Sequence, residues 1–183
     1  MQMAWTFGAI SSATDPVAVV ALLKDLGANP ILTMQITGES LLNDGVAVVL
    51  FLVFFESLVD PKKQLGVGSA LRKVLQMGLG GPLFGLLVGG VALKMLRLAS
   101  KRAIKTDGQL QIIITLAFAY FAFFVGEHVL HVSGVLSTVF AALVLARDAR
   151  PHFVSFEALE HFWHSVEWVA NTLIFMVSGL LFG

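Results

Sequence analysis

The sequence is dominated by apolar runs that are long enough to cross a membrane. A transmembrane helix needs about 20 mostly apolar residues, and runs of that size recur here between short charged or Gly/Pro-containing breaks. Only 13% of the residues are charged, against about a quarter in an ordinary soluble domain. We therefore predict an all-α, polytopic membrane protein, embedded in the lipid bilayer, with about six transmembrane helices at 2–23, 32–58, 74–96, 108–126, 132–147 and 160–183.

The composition and motifs argue against several other classes of protein. The 12 Lys and Arg residues balance the 12 Asp and Glu residues, so no basic surplus indicates a nucleic-acid partner. The chain has no Cys, which excludes a disulfide framework, a thiolate metal site or a cysteine nucleophile. No Walker motif is present, so we predict no nucleotide, no bound cofactor and no enzymatic activity.

The basic residues separate between alternate connections, which sets the expected orientation. One set of connections carries eight of them and the opposite set carries four, so we predict that the first set is cytoplasmic. The eight are Lys24, Lys94, Arg97, Lys101, Arg102, Lys105, Arg147 and Arg150, and the four are Lys62, Lys63, Arg72 and Lys73.

The first apolar run contains an acidic residue directly before a proline, in the sequence Thr14-Asp15-Pro16. Pro16 has no N–H to donate, and the residue before a proline is pushed away from the helical region, so we predict a broken helix here. Unwound backbone at membrane depth is tolerated where it is buried in protein or lines a watery cavity. Broken helices of this kind form cation sites in secondary transporters. The alternative is that Pro16 only kinks the helix and Asp15 caps its second half.

A second polar cluster lies in the middle of the next apolar run. Glu39 with Asn43, and Ser40 with Asp44, are spaced four residues apart and therefore share one helix face. Carboxylate, amide and hydroxyl oxygens suit a hard cation such as Na⁺ or Li⁺. A charge at membrane depth is costly, which favours a functional role, with Asp44 as the strongest candidate. The alternatives are that these residues join neighbouring helices, or that Glu39 belongs to a buried ion pair.

Three other groups have simpler explanations. Glu127, with His128 and His131, could relay protons, but a position at a helix end favours a solvated turn. His161, His164 and Glu167 have a spacing that could hold a metal, but no fourth ligand accompanies them. A run of glycines is expected to permit close helix packing: Gly78, Gly80, Gly81, Gly85, Gly89 and Gly90.

The two membrane motifs together resemble those of the electroneutral sodium/proton exchangers. The matching residues are Thr14-Asp15-Pro16 and then Gly38-Glu39-Ser40-Leu41-Leu42-Asn43-Asp44. Later stretches around 133–136 and 170–179 are also similar to that family, especially to its NhaP-like and eukaryotic plasma-membrane branch. The resemblance implies a thirteen-helix fold with inverted repeats, a homodimer and a location in the plasma membrane.

The resemblance also divides the chain into parts. Residues 1–60 would form part of the ion-translocating core domain, 61–107 a linker helix with a cytoplasmic loop, and 108–183 part of the dimerisation domain. The rest of the core domain would lie outside this sequence, so the chain is expected to be a fragment that does not transport alone.

By the same resemblance, Asp44 would bind the transported Na⁺ or H⁺, with Asn43 marking the electroneutral subgroup. Ser40 and Thr14 would add oxygens to the Na⁺ site, and Asp15 would lie in the unwound segment.

Two further residues, Pro16 and Glu39, would stabilise that site. Glu39 would pair with an Arg on a later helix that this sequence does not contain.

The expected mechanism is competition between a cation and a proton for the buried Asp44 carboxylate. Alternating access then lets the gradient of one ion drive the other. A cation channel and a non-transporting membrane assembly subunit are the alternatives, and saturable flux coupled to protons would distinguish the antiporter. The preference among Na⁺, K⁺ and Li⁺ stays open.

Overall fold

A computed structural model of the chain describes residues 2–59, 67–102 and 108–182, and the regular elements in these ranges are all helical. The predicted basic residues Lys62, Lys63 and Lys105 lie outside the described residues. In chain order the helices are α1 (Gln2–Ser11), α2 (Val17–Asp25), α3 (Pro30–Val59), α4 (Val67–Arg102), α5 (Gly108–Phe124), a π-helical turn (Val125–Val129), α6 (Gly134–Asp148), a 3₁₀ turn (Arg150–His152) and α7 (Phe156–Phe182).

The helices follow the predicted apolar runs. Among the described residues, three helical stretches are long and apolar enough to cross a membrane: Pro30–Val59, Gly68–Ser100 and Gly108–Val129. Many large apolar side chains also point outward, including Leu180 and Leu181, which are 77% and 73% exposed. Such a surface suits lipid and not water.

The chain reverses between α2 and α3 by local capping. Gly27 adopts a left-handed conformation with a φ of 70°, while the Ala28 N–H donates to the Leu23 carbonyl and the Gly27 N–H to the Lys24 carbonyl. These bonds satisfy the last carbonyls of α2 in a Schellman motif. Asn29 then caps α3, because its Oδ1 accepts a hydrogen bond from the Ile31 N–H at 2.9 Å.

α1 and α3 pack against each other in antiparallel directions. The rings of Trp5 and Phe54 stack with centroids 6.0 Å apart near the start of α1. At the other end of the pair, Ser40 bonds to the carbonyl of Thr14. The antiparallel pairing therefore brings the polar middle of α3 to the break that follows α1.

α4 and α6 run parallel and very close together. A Cβ on Gly81 would lie 2.8 Å from the Ser133 carbonyl oxygen, and a Cβ on Gly89 would lie 2.8 Å from that of Ala141. The predicted close packing is thus confirmed at Gly81 and Gly89, and Gly85 also abuts α6, while Gly80 abuts Val132 just before α6. It is wrong for Gly78 and Gly90, where nothing lies within 4 Å of an added Cβ.

A buried apolar cluster joins α3 to the α4–α6 pair. Val49 and Val53 of α3 pack with Met77 of α4 and Leu136 of α6. Gly45 of α3 meets the side chain of the same Leu136. Gly45 directly follows Asp44, so this contact holds the polar segment of α3 next to the α4–α6 pair.

Candidate functional site

The predicted interruption of the first run is confirmed. α1 ends at Ser11 and α2 begins at Val17, and residues 13–16 between them have no regular structure. Ser12 closes α1, because its hydroxyl donates to the Ala9 carbonyl at 2.7 Å. Pro16, half-buried, occupies the N-cap position of α2 without a side-chain capping bond. The alternative in which Asp15 caps the second half of the helix stays a prediction.

α3 contacts the break through Ser40. This side chain is only 6% exposed, and its hydroxyl donates a hydrogen bond to the backbone carbonyl oxygen of Thr14. The bond joins residues that are 26 positions apart in the chain. Because a carbonyl oxygen has two lone pairs, the Thr14 oxygen can accept this bond and still face a cation.

Asp44 lies one helical turn beyond Ser40 on the same face of α3. Its side chain is half-buried, and its Oδ1 atom is buried without a hydrogen-bond partner within the described ranges. Buried polar atoms are nearly always satisfied, so an unsatisfied carboxylate oxygen calls for an explanation such as a bound ion. A proton or a monovalent cation on Asp44 would supply the missing partner.

The predicted site residues differ in how far they are buried. Asn43 and Glu39 are exposed, and so are the side chains of Thr14 and Asp15. Thr14 contacts α3 through its backbone carbonyl oxygen, whereas the sequence does not distinguish this oxygen from the hydroxyl. No motif signals this difference, because it depends on which atom faces α3.

The other candidate groups have different roles. The prediction that Glu127 belongs to a solvated turn is wrong: the residue is half-buried, and its Oε2 accepts a hydrogen bond from the Gly134 N–H at 2.9 Å. It therefore helps to cap α6, where the first amide groups have no partner inside the helix. In the part of the chain that the structure describes, no group of three His, Asp or Glu side chains could hold a metal, and this includes His161, His164 and Glu167.

The chain is also similar in sequence to known proteins. A family model described as "Sodium/hydrogen exchanger, transmembrane" matches residues 1–183. The chain is 39% identical over 176 residues to sodium/hydrogen exchanger 8 of Arabidopsis thaliana, covering 95% of this chain and 22% of that protein. It is 34% identical over 185 residues to the Na(+)/H(+) antiporter NhaH of Halobacillus aidingensis, covering 98% of this chain and 44% of that protein.

A third relative is the Na(+)/H(+) antiporter NhaP of Pseudomonas aeruginosa, which is 33% identical over 181 residues, with 95% of this chain and 40% of that protein covered. The chain thus spans between a fifth and a half of the length of these three relatives.

Proposed function

This chain belongs to the sodium/hydrogen exchanger family, whose members are integral, multi-pass membrane transporters and not enzymes, and we propose that the full-length protein exchanges Na⁺ for H⁺ across its membrane. The names of the similar proteins support this activity. The observation that carries the proposal is the buried, unpartnered Oδ1 of Asp44, one turn from the Ser40 that contacts the helix break.

The proposed chemistry is competition for one carboxylate. Removing the Asp44 charge from water is unfavourable unless something neutralises it, and either a proton or a cation can do so. In this scheme the Ser40 hydroxyl oxygen and the Thr14 carbonyl oxygen, which are joined by a hydrogen bond, complete a site for a hard cation. The proton and the cation cannot occupy the site at the same time. Movement of the site between the two faces of the membrane therefore couples the gradient of one ion to that of the other.

The remaining site residues have supporting roles in this proposal. Pro16 keeps the break open, because it cannot donate a backbone hydrogen bond. Asn43 and Asp15 flank the site, and Glu39 pairs with a basic residue from outside this sequence. Exchange is electroneutral in this scheme, so its rate should not respond to an imposed membrane potential.

The proposed architecture extends beyond the described helices. We propose six transmembrane segments within a thirteen-helix inverted-repeat fold and a homodimer in the plasma membrane. Residues 1–60 would then belong to the moving core, 61–107 to the linker, and 108–183 to the dimerisation part. The packing of α1 on α3 falls within the first part and that of α5 on α6 within the third, while α4 of the linker packs mainly on α6.

Asp44→Asn tests the proposal in the full-length protein. The variant keeps the shape of the side chain and is easier to bury, so it should insert and fold, but it should lose sodium-driven proton movement. The measurement is proton flux after a sodium jump in proteoliposomes, normalised to reconstituted protein. The matched control is Asp25→Asn, which removes an exposed carboxylate at the end of α2 and should leave the flux unchanged.

Wild-type flux in Asp44→Asn would show that Asp44 is not the shared site. Flux that fails to saturate with Na⁺, or that proceeds without counter-movement of protons, would favour a channel instead. Repeating the jump with K⁺ and Li⁺ determines the cation preference in the same preparation.

A further inference from the structure

A cavity of about 480 Å³ lies among α4, α5, α6 and α7. Ligand pockets typically enclose about 300–1,000 Å³ and have mostly apolar walls with a few polar groups. This cavity has that character, because its walls include Phe118, Leu145 and Phe153 together with several alanines. No residue of α1, α2 or α3 lines it, so it is separate from the candidate ion site.

The threonine hydroxyl groups and the tryptophan N–H group in the wall are already hydrogen-bonded to the protein. The Thr115 hydroxyl donates to the Ile112 carbonyl at 2.8 Å and accepts from the Trp163 Nε1 at 3.3 Å. The Thr138 hydroxyl donates to the Gly134 carbonyl at 2.9 Å. The interior therefore presents a hydrocarbon surface to any occupant.

Arg150 is the one charged side chain among the residues that line the cavity. It is exposed, and its guanidinium carbon lies 4.9 Å from the centre of the Phe156 ring. Within residues 2–59, 67–102 and 108–182, no carboxylate forms an ion pair with it, whereas the neighbouring Arg147 lies 3.8 Å from Asp148. The guanidinium N–H groups of Arg150 are thus available to an anion at the edge of an apolar cavity.

The position of the cavity adds a second argument. Its lining includes Ala146 in the last turn of α6 and Arg150 directly after that helix, so it reaches the end of α6 where Arg147 also lies. This is the end that the distribution of basic residues assigns to the cytoplasm. Anionic lipids are concentrated in that leaflet, and basic pockets between transmembrane helices bind their head groups.

From these features we infer that the cavity holds an acyl chain of an anionic phospholipid, with Arg150 bound to the phosphate. The bidentate geometry of a guanidinium matches phosphate oxygens, and the apolar wall matches the chain. The lipid would fill space between α5, α6 and α7 that the side chains leave empty.

Lipid retention by the detergent-solubilised full-length protein tests this inference. Native mass spectrometry should detect bound phosphatidylglycerol in preference to phosphatidylcholine with the same acyl chains. Arg150→Gln should lower that retention about tenfold, as expected for the loss of one charge-assisted contact. Arg147→Gln removes an equal charge from the same helix end outside the cavity and should retain the lipid.

A second variant tests the apolar part of the site without altering charge. Ala142 lines the cavity, so Ala142→Phe should occupy the space of the acyl chain and also abolish retention. In the wild-type protein, a phosphatidylglycerol with a photoreactive group on its acyl chain should label peptides from α5 and α6. Excess inorganic phosphate should not displace the lipid.

Four results would overturn the inference. Equal losses in Arg150→Gln and Arg147→Gln would show general surface attraction, and displacement by phosphate would show a simple anion site. Labelling confined to other helices would place the lipid elsewhere. A wild-type protein that retains no lipid would show that another part of the protein, or nothing, occupies the cavity.

Discussion

Gln111 shows how one buried amide can join distant segments. Its side chain is 1% exposed. The Nε2 group donates to the His152 carbonyl at 2.8 Å, and the Oε1 atom accepts from the Val154 N–H at 2.8 Å. The amide therefore satisfies both a backbone acceptor and a backbone donor in the connection between α6 and α7. This contact holds the connection against α5.

We expect Gln111→Leu to destabilise the protein strongly. The substitution keeps a similar volume but leaves the His152 carbonyl and the Val154 N–H without partners, at about 1–3 kcal/mol for each group. Thermal unfolding of the solubilised full-length protein, followed by size-exclusion chromatography, measures the effect. Gln109→Leu is the control, because Gln109 is exposed on the same helix. Equal melting temperatures for the two variants would contradict the assigned role of Gln111.

At the scale of helices, the α4–α6 contact depends on residues without side chains. Gly85 is buried at the centre of this contact, where an added Cβ would overlap the Ser137 carbonyl oxygen and lie 3.0 Å from the Phe140 Cβ. In lipid, helices associate mainly through close van der Waals packing and not through exclusion of water. The small residues of α4 let the two backbones approach closely enough for that packing.

Gly85→Ala should therefore separate α4 from α6 and cost about 1–3 kcal/mol through overpacking. Gly90→Ala is the matched control, because nothing lies within 4 Å of its added Cβ, and alanine is the better helix former by about 1 kcal/mol. We expect a lower melting temperature for the first variant and an equal or higher one for the second. The reverse order would be inconsistent with the described packing.

At the scale of the whole molecule, the parallel packing of α4 and α6 places different sets of basic residues at the two ends of the helix pair. Arg97 and Arg147 lie near the C-terminal ends of these helices, and Lys73 lies near the N-terminal end of α4, where it pairs with Glu56 of α3. The charges that the sequence assigned to opposite sides of the membrane thus occur at opposite ends of the helix pair. The orientation of that pair in the membrane stays a prediction.

Single cysteines at Arg147 and Arg72 test this orientation. Both side chains are exposed, and this chain has no native Cys. In an otherwise cysteine-free full-length transporter, a membrane-impermeant maleimide applied to intact cells should label the Arg72→Cys protein only. The Arg147→Cys protein should react after the cells are permeabilised. External labelling of Arg147→Cys would reverse the topology.

The sequence by itself determined the features that follow from local chemistry. Apolar runs fixed where helices occur, because each run is long enough to satisfy its own backbone hydrogen bonds in lipid. The break before Pro16 follows from the missing N–H of one residue and the steric restriction on another. The polar cluster around Asp44 was visible because charged residues are rare inside such runs.

Tertiary structure alone decided which atoms meet. The bond from Ser40 to the Thr14 carbonyl, the Glu127 contact that caps α6 and the Gln111 contact all join segments whose distance in space the sequence does not state. Sequence periodicity also did not separate Gly85, which contacts α6, from Gly90, which does not. The physical reason is that an apolar helix in lipid has no polar face to fix its rotation, so only packing against its neighbours selects the face that is buried.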